Sequence, residues 1–291
     1  MMKNPLPRVA AIHDLSGYGR CSLTVVIPIL STMGFEVCAL PTAVLSSHTA
    51  IPGFKLFDLT DQLPGFIEHW KSQNLKFEAI YSGFLGSAQQ AGMVADFIRD
   101  FSEPDTLVVV DPVMADFGQL YASMPKEMIG EMTKLSKLAK VVTPNITEAA
   151  FMLGREVPQS LDETQVKDWL KALADLGPSY PVITSLPLTS SKDRSTVAAY
   201  NRDDGRFWLA GRPQVPTQYH GTGDIFSSVL TGSLLQGDSL PIALDRSCQF
   251  VASAIQVTFG YSGLSHHEIL LERALNTLHA PVTYASYELL S

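Results

Sequence analysis

The sequence predicts a layered α/β protein built on parallel strands, and two features carry that prediction. Short β-type runs alternate with helix-type runs from the N-terminus to about residue 190, the pattern that crossover helices impose on a parallel sheet. Polar and glycine-rich turns follow the ends of those runs, which is where open α/β sheets bind ligands.

In chain order, Arg8 to Ile12 reads as a strand, Leu23 to Met33 as a helix, Glu36 to Leu40 as a strand and Asp61 to Lys71 as a helix. Phe77 to Tyr81 and Thr106 to Val110 repeat the strand pattern around the helical run Gln89 to Phe101. Val141 and Val142 follow, then a helix from about Thr147, another from Asp162 to Leu176, and a strand from Val182 to Thr184. Beyond residue 190, Ser195 to Tyr200 and Arg206 to Ala210 flank Asn201-Arg202-Asp203-Asp204-Gly205, an antiparallel hairpin at the sheet edge. The remainder, Ile242 to Phe259 and His266 to Leu278, reads as helical. No repeat, low-complexity stretch or linker interrupts residues 1–291, so a single domain is expected.

Composition narrows the partners. Hydrophobic residues make up 46% and charged residues 17%, which suits a buried core rather than disorder. The net charge of −8 and the lack of a basic run argue against a nucleic-acid backbone. Cys21, Cys38 and Cys248 are widely spaced and read as free thiols. The first residues lack the apolar core of a signal peptide and no run approaches a bilayer span, so a cytoplasmic protein with no membrane partner is expected.

The turn His220-Gly221-Thr222-Gly223-Asp224 organises the candidate site. Ile225, Phe226, Val229, Leu230 and Leu234 follow it at helical spacing, so two glycines lead into a helix N-terminus, where unpaired N–H groups favour an anion. Asp224 would repel a phosphate unless it takes the proton of an attacking hydroxyl. The plainer alternative is that Thr222 or Asp224 is only an N-cap. Asn145 and Glu148, three apart at a helix start, are either Mg²⁺ holders through water or a capping box. Asp111, Thr143, Thr184 and Ser185 follow strands; Asp14, Gly17 and Gly19 follow the first, and His48-Thr49 lie beyond the second. Gly17-x-Gly19 lacks the third glycine of a dinucleotide fingerprint, and no Walker P-loop is present.

Taken together, Ile12 to Ser22, Leu45-Ser46-Ser47-His48-Thr49, Ser82-Gly83-Phe84-Leu85-Gly86, Asp111-Pro112-Val113-Met114-Ala115-Asp116 with Tyr121, Thr143-Pro144-Asn145-Ile146-Thr147-Glu148, Thr184-Ser185 and Gly221-Thr222-Gly223-Asp224 resemble the ribokinase-like small-molecule kinases, and within them the pyridoxal kinase branch. The resemblance implies a three-layer α/β/α fold and ATP-dependent phosphorylation of the 5′-hydroxymethyl group of a B6 vitamer. It implies Asp224 as base and Gly221, Thr222, Gly223 and Asp224 as the anion hole. Asn145 and Glu148, with Asp111, would organise Mg²⁺ through water; Asp116, Tyr121, Thr143, Thr184 and Ser185 would join them around ATP, residues 116–121 closing as a flap. Asp14, His48, Thr49 and Phe84 would hold the pyridine ring. A homodimer is usual in that family; a monovalent cation is left open.

Three positions depart from the family pattern. Asp14 replaces a common serine, Ala115 a common glycine and Phe84 a common tyrosine. Two other functions remain in view, a hydroxymethylpyrimidine (phosphate) kinase and a non-catalytic nucleotide or ligand sensor. Asp224 argues against the sensor, because a protein that only binds has no need of a base there.

Overall fold

The structure is a computed structural model, and it describes residues 6–190, 193–217, 219–261, 268–279 and 286–290. In chain order its elements are β1 (Arg8–Ser16), α1 (Leu23–Thr32), β2 (Glu36–Leu45), β3 (Leu56–Asp58), α2 (Leu63–Ser72), β4 (Ala79–Ser82), α3 (Ala88–Phe101) and β5 (Leu107–Val110). Then come the short ribbon β6 (Ala115–Asp116) and β7 (Gln119–Leu120), α4 (Glu127–Ser136), β8 (Val141–Val142), α5 (Ile146–Leu153), α6 (Glu163–Asp175) and β9 (Tyr180–Ile183). The last are β10 (Arg194–Asn201), β11 (Arg206–Pro213), α7 (Thr222–Leu235), α8 (Leu240–Thr258), α9 (Leu271–Ala274) and β12 (Glu288–Leu289).

Ten strands form one sheet in the order β12-β11-β10-β9-β8-β5-β4-β1-β2-β3. The pairs from β2 through β1, β4, β5 and β8 to β9 are parallel. The expected hairpin is β10–β11, and β12 pairs beyond it. Alternation along β1 shows why the sheet is covered on both sides. Ala10 and Ile12 face the core under α2 to α6, whereas Val9 and Ala11 face the core under α1, α7, α8 and α9.

Strand order reverses at β1, whose neighbours are β2 and β4, and the carboxyl ends of strands at such a switch point are where open α/β sheets bind ligands. The β1–β2 register also slips between His13 and Leu15, where Thr42 and Ala43 oppose Asp14. Such an irregularity turns a side chain away from the ladder. Asp14 therefore stands at a break in pairing beside the switch point.

The short strands β3, β6 and β7 were not anticipated, and four further elements differ from the sequence reading. Strand β2 continues through Pro41 instead of ending at Leu40, because β3 pairs only from Ala43 onward and the absent N–H of Pro41 faces no outer partner there. Helix α4 was unanticipated, although Met128, Met132 and Leu135 bury one face of it. β12 pairs across the hairpin from a distant part of the chain, which no local pattern announces. The expected helix His266 to Leu278 is the short α9 followed by a 3₁₀ turn, Leu275–His279; its first two residues lie outside the described residues.

Candidate active site

Gly221 caps α7 with φ 80° and ψ 0°, and no side chain closes that helix end. A Cβ at 221 would overlap the carbonyl oxygen of Arg20, so the turn needs glycine both for its backbone angle and for its neighbour. Neither Thr222 nor Asp224 is the N-cap. Thr222 is already helical, and its hydroxyl donates to the Tyr219 carbonyl at 3.3 Å. Among the described residues no side chain caps the first-turn N–H groups, and a helix end of this kind favours negative charge.

Asp224 lies in that first turn. Its Oδ2 accepts the N–H of Ser22 at 2.9 Å. Burial pushes its carboxyl up to about 7, the Ser22 N–H opposes the rise, and the charges of Asp111 and Asp14 add to it. A carboxyl with that affinity changes its protonation state close to neutral pH.

Of the residues expected around the ring, Asp14 and His48 lie on the β1–β2 side of this turn. Asp14 is buried; its Oδ1 accepts the Ser22 hydroxyl and its Oδ2 the Ser16 hydroxyl at 3.3 Å. Burial raises its carboxyl above the usual range, against the pull of both serines. His48 is also buried, its ring packed beneath Gly19 and 5.1 Å from the ring of His220. Thr49 is exposed on the loop beyond β2. Phe84 is the outlier of the four, since its ring belongs to the apolar core and its carbonyl accepts the Thr42 hydroxyl at 3.1 Å.

On the other side of α7, Ser227 donates to Asp111 Oδ2 and bonds the Thr143 hydroxyl, each at 3.0 Å. One serine thus ties the ends of β5 and β8 to the anion-site helix. Asn145 and Glu148 form a complete capping box, with Asn145 Oδ1 accepting the Glu148 N–H and Glu148 Oε2 accepting the Asn145 N–H, both at 2.9 Å. Glu148 Oε1 accepts the Met114 N–H at 3.0 Å, and Asn145 Nδ2 donates to the Ala115 carbonyl at 2.7 Å. The capping box is therefore present, and it roots the β6–β7 ribbon as well. In that ribbon Asp116 Oδ1 accepts the Phe117 N–H at 2.8 Å, and Gly118 donates to Thr147 at 3.0 Å. Ala115 is fully buried at the root, and Tyr121 is partly exposed past β7.

Burial pushes Asp111 up to about 7; burial and then the Asp111 charge hold Glu148 well above its ordinary value. Linkage gives the consequence its sign. The unfolded chain ionises Asp111 near about pH 4 and the folded chain only near 7, so stability falls as pH rises between them and stays lower above. Asp111→Asn is expected to raise Tm at pH 8 and to leave it nearly unchanged at pH 4, read by scanning calorimetry. Equal shifts at both pH values would remove ionisation as the cause.

A cavity of about 910 Å³ reaches the anion turn. Asp116, Thr184, Ser185, His220, Thr222 and Gly223 line it, and none of the four ring residues does. Its far wall is formed by residues the sequence reading missed, including Arg212, Val215, Tyr219, Val251 and Ile255. Arg212 pairs with the fully buried Asp245 at 3.0 Å. Ser22 and Ser227 were missed as well. Ser22 precedes the apolar run of α1 and Ser227 lies with Ser228 among apolar residues of α7, a pattern without spacing information.

With a carboxylate set beside an unclosed helix N-terminus and a cavity running up to it, the arrangement is that of a small-molecule kinase working without a P-loop. The phosphomethylpyrimidine kinase family model matches residues 64–267, more than half of the chain. A crystal structure from Bacteroides thetaiotaomicron, provisionally named a phosphomethylpyrimidine kinase and obtained with pyridoxal, is 50% identical. It superposes with a TM-score of 0.94 over 98% of this chain and 99% of that one. The pyridoxal kinase of Lactobacillus plantarum is 30% identical, with a TM-score of 0.86 over 94% and 96% of the two chains. The hydroxymethylpyrimidine/phosphomethylpyrimidine kinase of Haemophilus influenzae is 32% identical over 174 residues, 60% of this chain and 63% of that one. The chain belongs to the phosphomethylpyrimidine kinase family.

Proposed function

We propose that this kinase transfers the γ-phosphoryl group of ATP to the 5′-hydroxymethyl group of pyridoxal, pyridoxamine or pyridoxine. The observation that carries the reading is Asp224, held by one oxygen to Ser22 at the mouth of an open helix N-terminus. Its Oδ1 would accept the proton as the hydroxyl oxygen bonds to phosphorus and the bond to ADP breaks. The N–H groups from Gly221 to Asp224 would hold the charge on the transferring group, an arrangement in which positioning and charge supply the catalysis. The nucleotide would occupy the 910 Å³ cavity, with its heterocycle against Val215, Val251 and Ile255 and its phosphates toward Thr222 and Gly223. Asp116, Tyr121, Thr143, Thr184 and Ser185 would contact ATP, and the β6–β7 ribbon would close over it and exclude water. Asp14, His48, Thr49 and Phe84 would hold the ring.

The donor set fits a hydrated divalent cation. Asp111 and Glu148 supply hard oxygens, both favour the neutral form through burial, and no group of three His, Cys, Asp or Glu among the described residues could grip an ion directly. These two carboxylates, with Asn145 holding Glu148 in place, would bind Mg²⁺ through water. When bound, Mg²⁺ neutralises phosphate charge. Glu148→Gln is expected to raise the Mg²⁺ concentration needed for half-maximal rate; an unchanged metal titration would remove Glu148 from that role.

A second reading, phosphorylation of hydroxymethylpyrimidine or its phosphate, is supported by the family and by the Haemophilus influenzae relative. The B6 reading is favoured by the 50% identical structure obtained with pyridoxal. The same reading takes residues 1–291 as one kinase domain that acts as a cytoplasmic homodimer, in keeping with three free cysteines and with no helix among the described residues long and apolar enough to cross a membrane. The test is ADP release with ATP and Mg²⁺ on the three B6 alcohols, hydroxymethylpyrimidine and its monophosphate. Turnover well above background on the pyridines supports the proposal, and turnover on the pyrimidines alone replaces it with the second reading.

A further inference from the structure

Ser22 stands in a backbone conformation, φ 51° and ψ −132°, that glycine adopts readily and other residues avoid. Strain of this kind persists where the surroundings over-determine it, and it gathers at functional sites. The side chain and the backbone of Ser22 are both engaged. Its hydroxyl donates to Asp14 Oδ1, and its N–H donates to Asp224 Oδ2 at 2.9 Å. The residue is buried, and two positions earlier the Arg20 carbonyl lies against Gly221. The loop from β1 to α1 thus braces the anion turn at two points and joins it to the irregularity in β1 that carries Asp14.

We propose that Ser22 is a positioning residue that fixes the separation between Asp14 and Asp224 and so sets which substrates fit. The proposal rests on the kinase reading above. Asp14 holds the ring, Asp224 takes the proton of the primary alcohol, and one residue spaces them. Both Asp14 oxygens already accept serine hydroxyls, and a carboxylate has lone pairs left for one more donor. The substrate must therefore offer a donor, such as a protonated ring nitrogen or an amine, at a set distance from its reacting hydroxyl. Small displacements from that geometry are costly in rate.

Two substitutions separate positioning from folding. Ser22→Gly relieves the backbone strain and keeps the N–H to Asp224 while releasing Asp14. Ser22→Ala releases Asp14 and keeps the strain. Wild type and both variants are compared for kcat and KM on whichever of the three B6 alcohols and hydroxymethylpyrimidine the wild type phosphorylates, for ADP affinity by calorimetry, and for Tm. In both variants kcat/KM for the alcohol is expected to fall ~10–100-fold, the effect of losing a hydrogen bond to a charged group. ADP affinity is expected to hold within about twofold, and Tm of Ser22→Gly to equal or exceed that of Ser22→Ala. Wild-type kcat/KM in both variants overturns the proposal, as does a loss of activity that follows a matching loss of Tm and ADP affinity. A wild type inactive on all four alcohols overturns the kinase reading and this proposal with it; an active wild type with indifferent variants overturns the role of Ser22 alone.

Discussion

Asp224→Asn is expected to bind ATP as the wild type does and to turn over ~10²–10⁴-fold more slowly, the usual contribution of a general base. The amide keeps an oxygen to accept the Ser22 N–H, so the turn and its anion-facing N–H groups stay in place. It cannot take a proton from the alcohol. Because burial pushes the wild-type carboxyl up to about 7, kcat should rise with pH to near neutrality and level off above. The variant should lose that acid limb. ADP release measured from acid to alkaline pH, with nucleotide affinity measured in parallel, checks both parts. An unchanged limb in an otherwise slow variant would assign the titration to another group, and near-wild-type turnover would remove Asp224 as the base.

Gly221→Ala is expected to damage stability and turnover together. At φ 80° an alanine is strained by ~1–3 kcal/mol, and its Cβ meets a backbone carbonyl, which cannot swing aside as a side chain would. The turn must shift, and a displacement of ~1 Å at reacting groups costs ~10²-fold in rate. Gly223→Ala, two residues on, is the control. A Cβ there meets nothing within 4 Å, and the position is not among the left-handed glycines. Its Tm should stay close to that of the wild type, while Tm and kcat/KM of Gly221→Ala both fall. Equal loss of Tm in the two variants would refute the bracing of the turn by Arg20.

The glycine turn that opens α7 was legible in the sequence because its glycines abut a run of apolar residues at helical spacing, and both halves of that pattern are local. Asn145 and Glu148 were legible to chemistry and to capping alike, and the capping hydrogen bonds are present. The parallel sheet followed from alternation, which is also local. Ser22 escaped because its partner Asp224 lies 202 residues away and its backbone angle leaves no trace in composition. Ser227 escaped for a similar reason, being 116 residues from Asp111. The far wall of the cavity comes from β11, the segment after it and α8, and nothing in those stretches taken singly indicates that they meet.

The ribbon β6–β7 has no independent hinge. Asn145 grips it at Ala115, Thr147 grips it at Gly118, and Glu148 grips the residue that leads into it, all from the first turn of α5. Phe117, 74% exposed, is the far end of that lever. A compound that displaces the ribbon outward at Phe117 therefore pulls on the turn bearing Glu148. Under the proposed metal role of Glu148, tight binding of such a compound would weaken Mg²⁺ binding without contacting Glu148 itself.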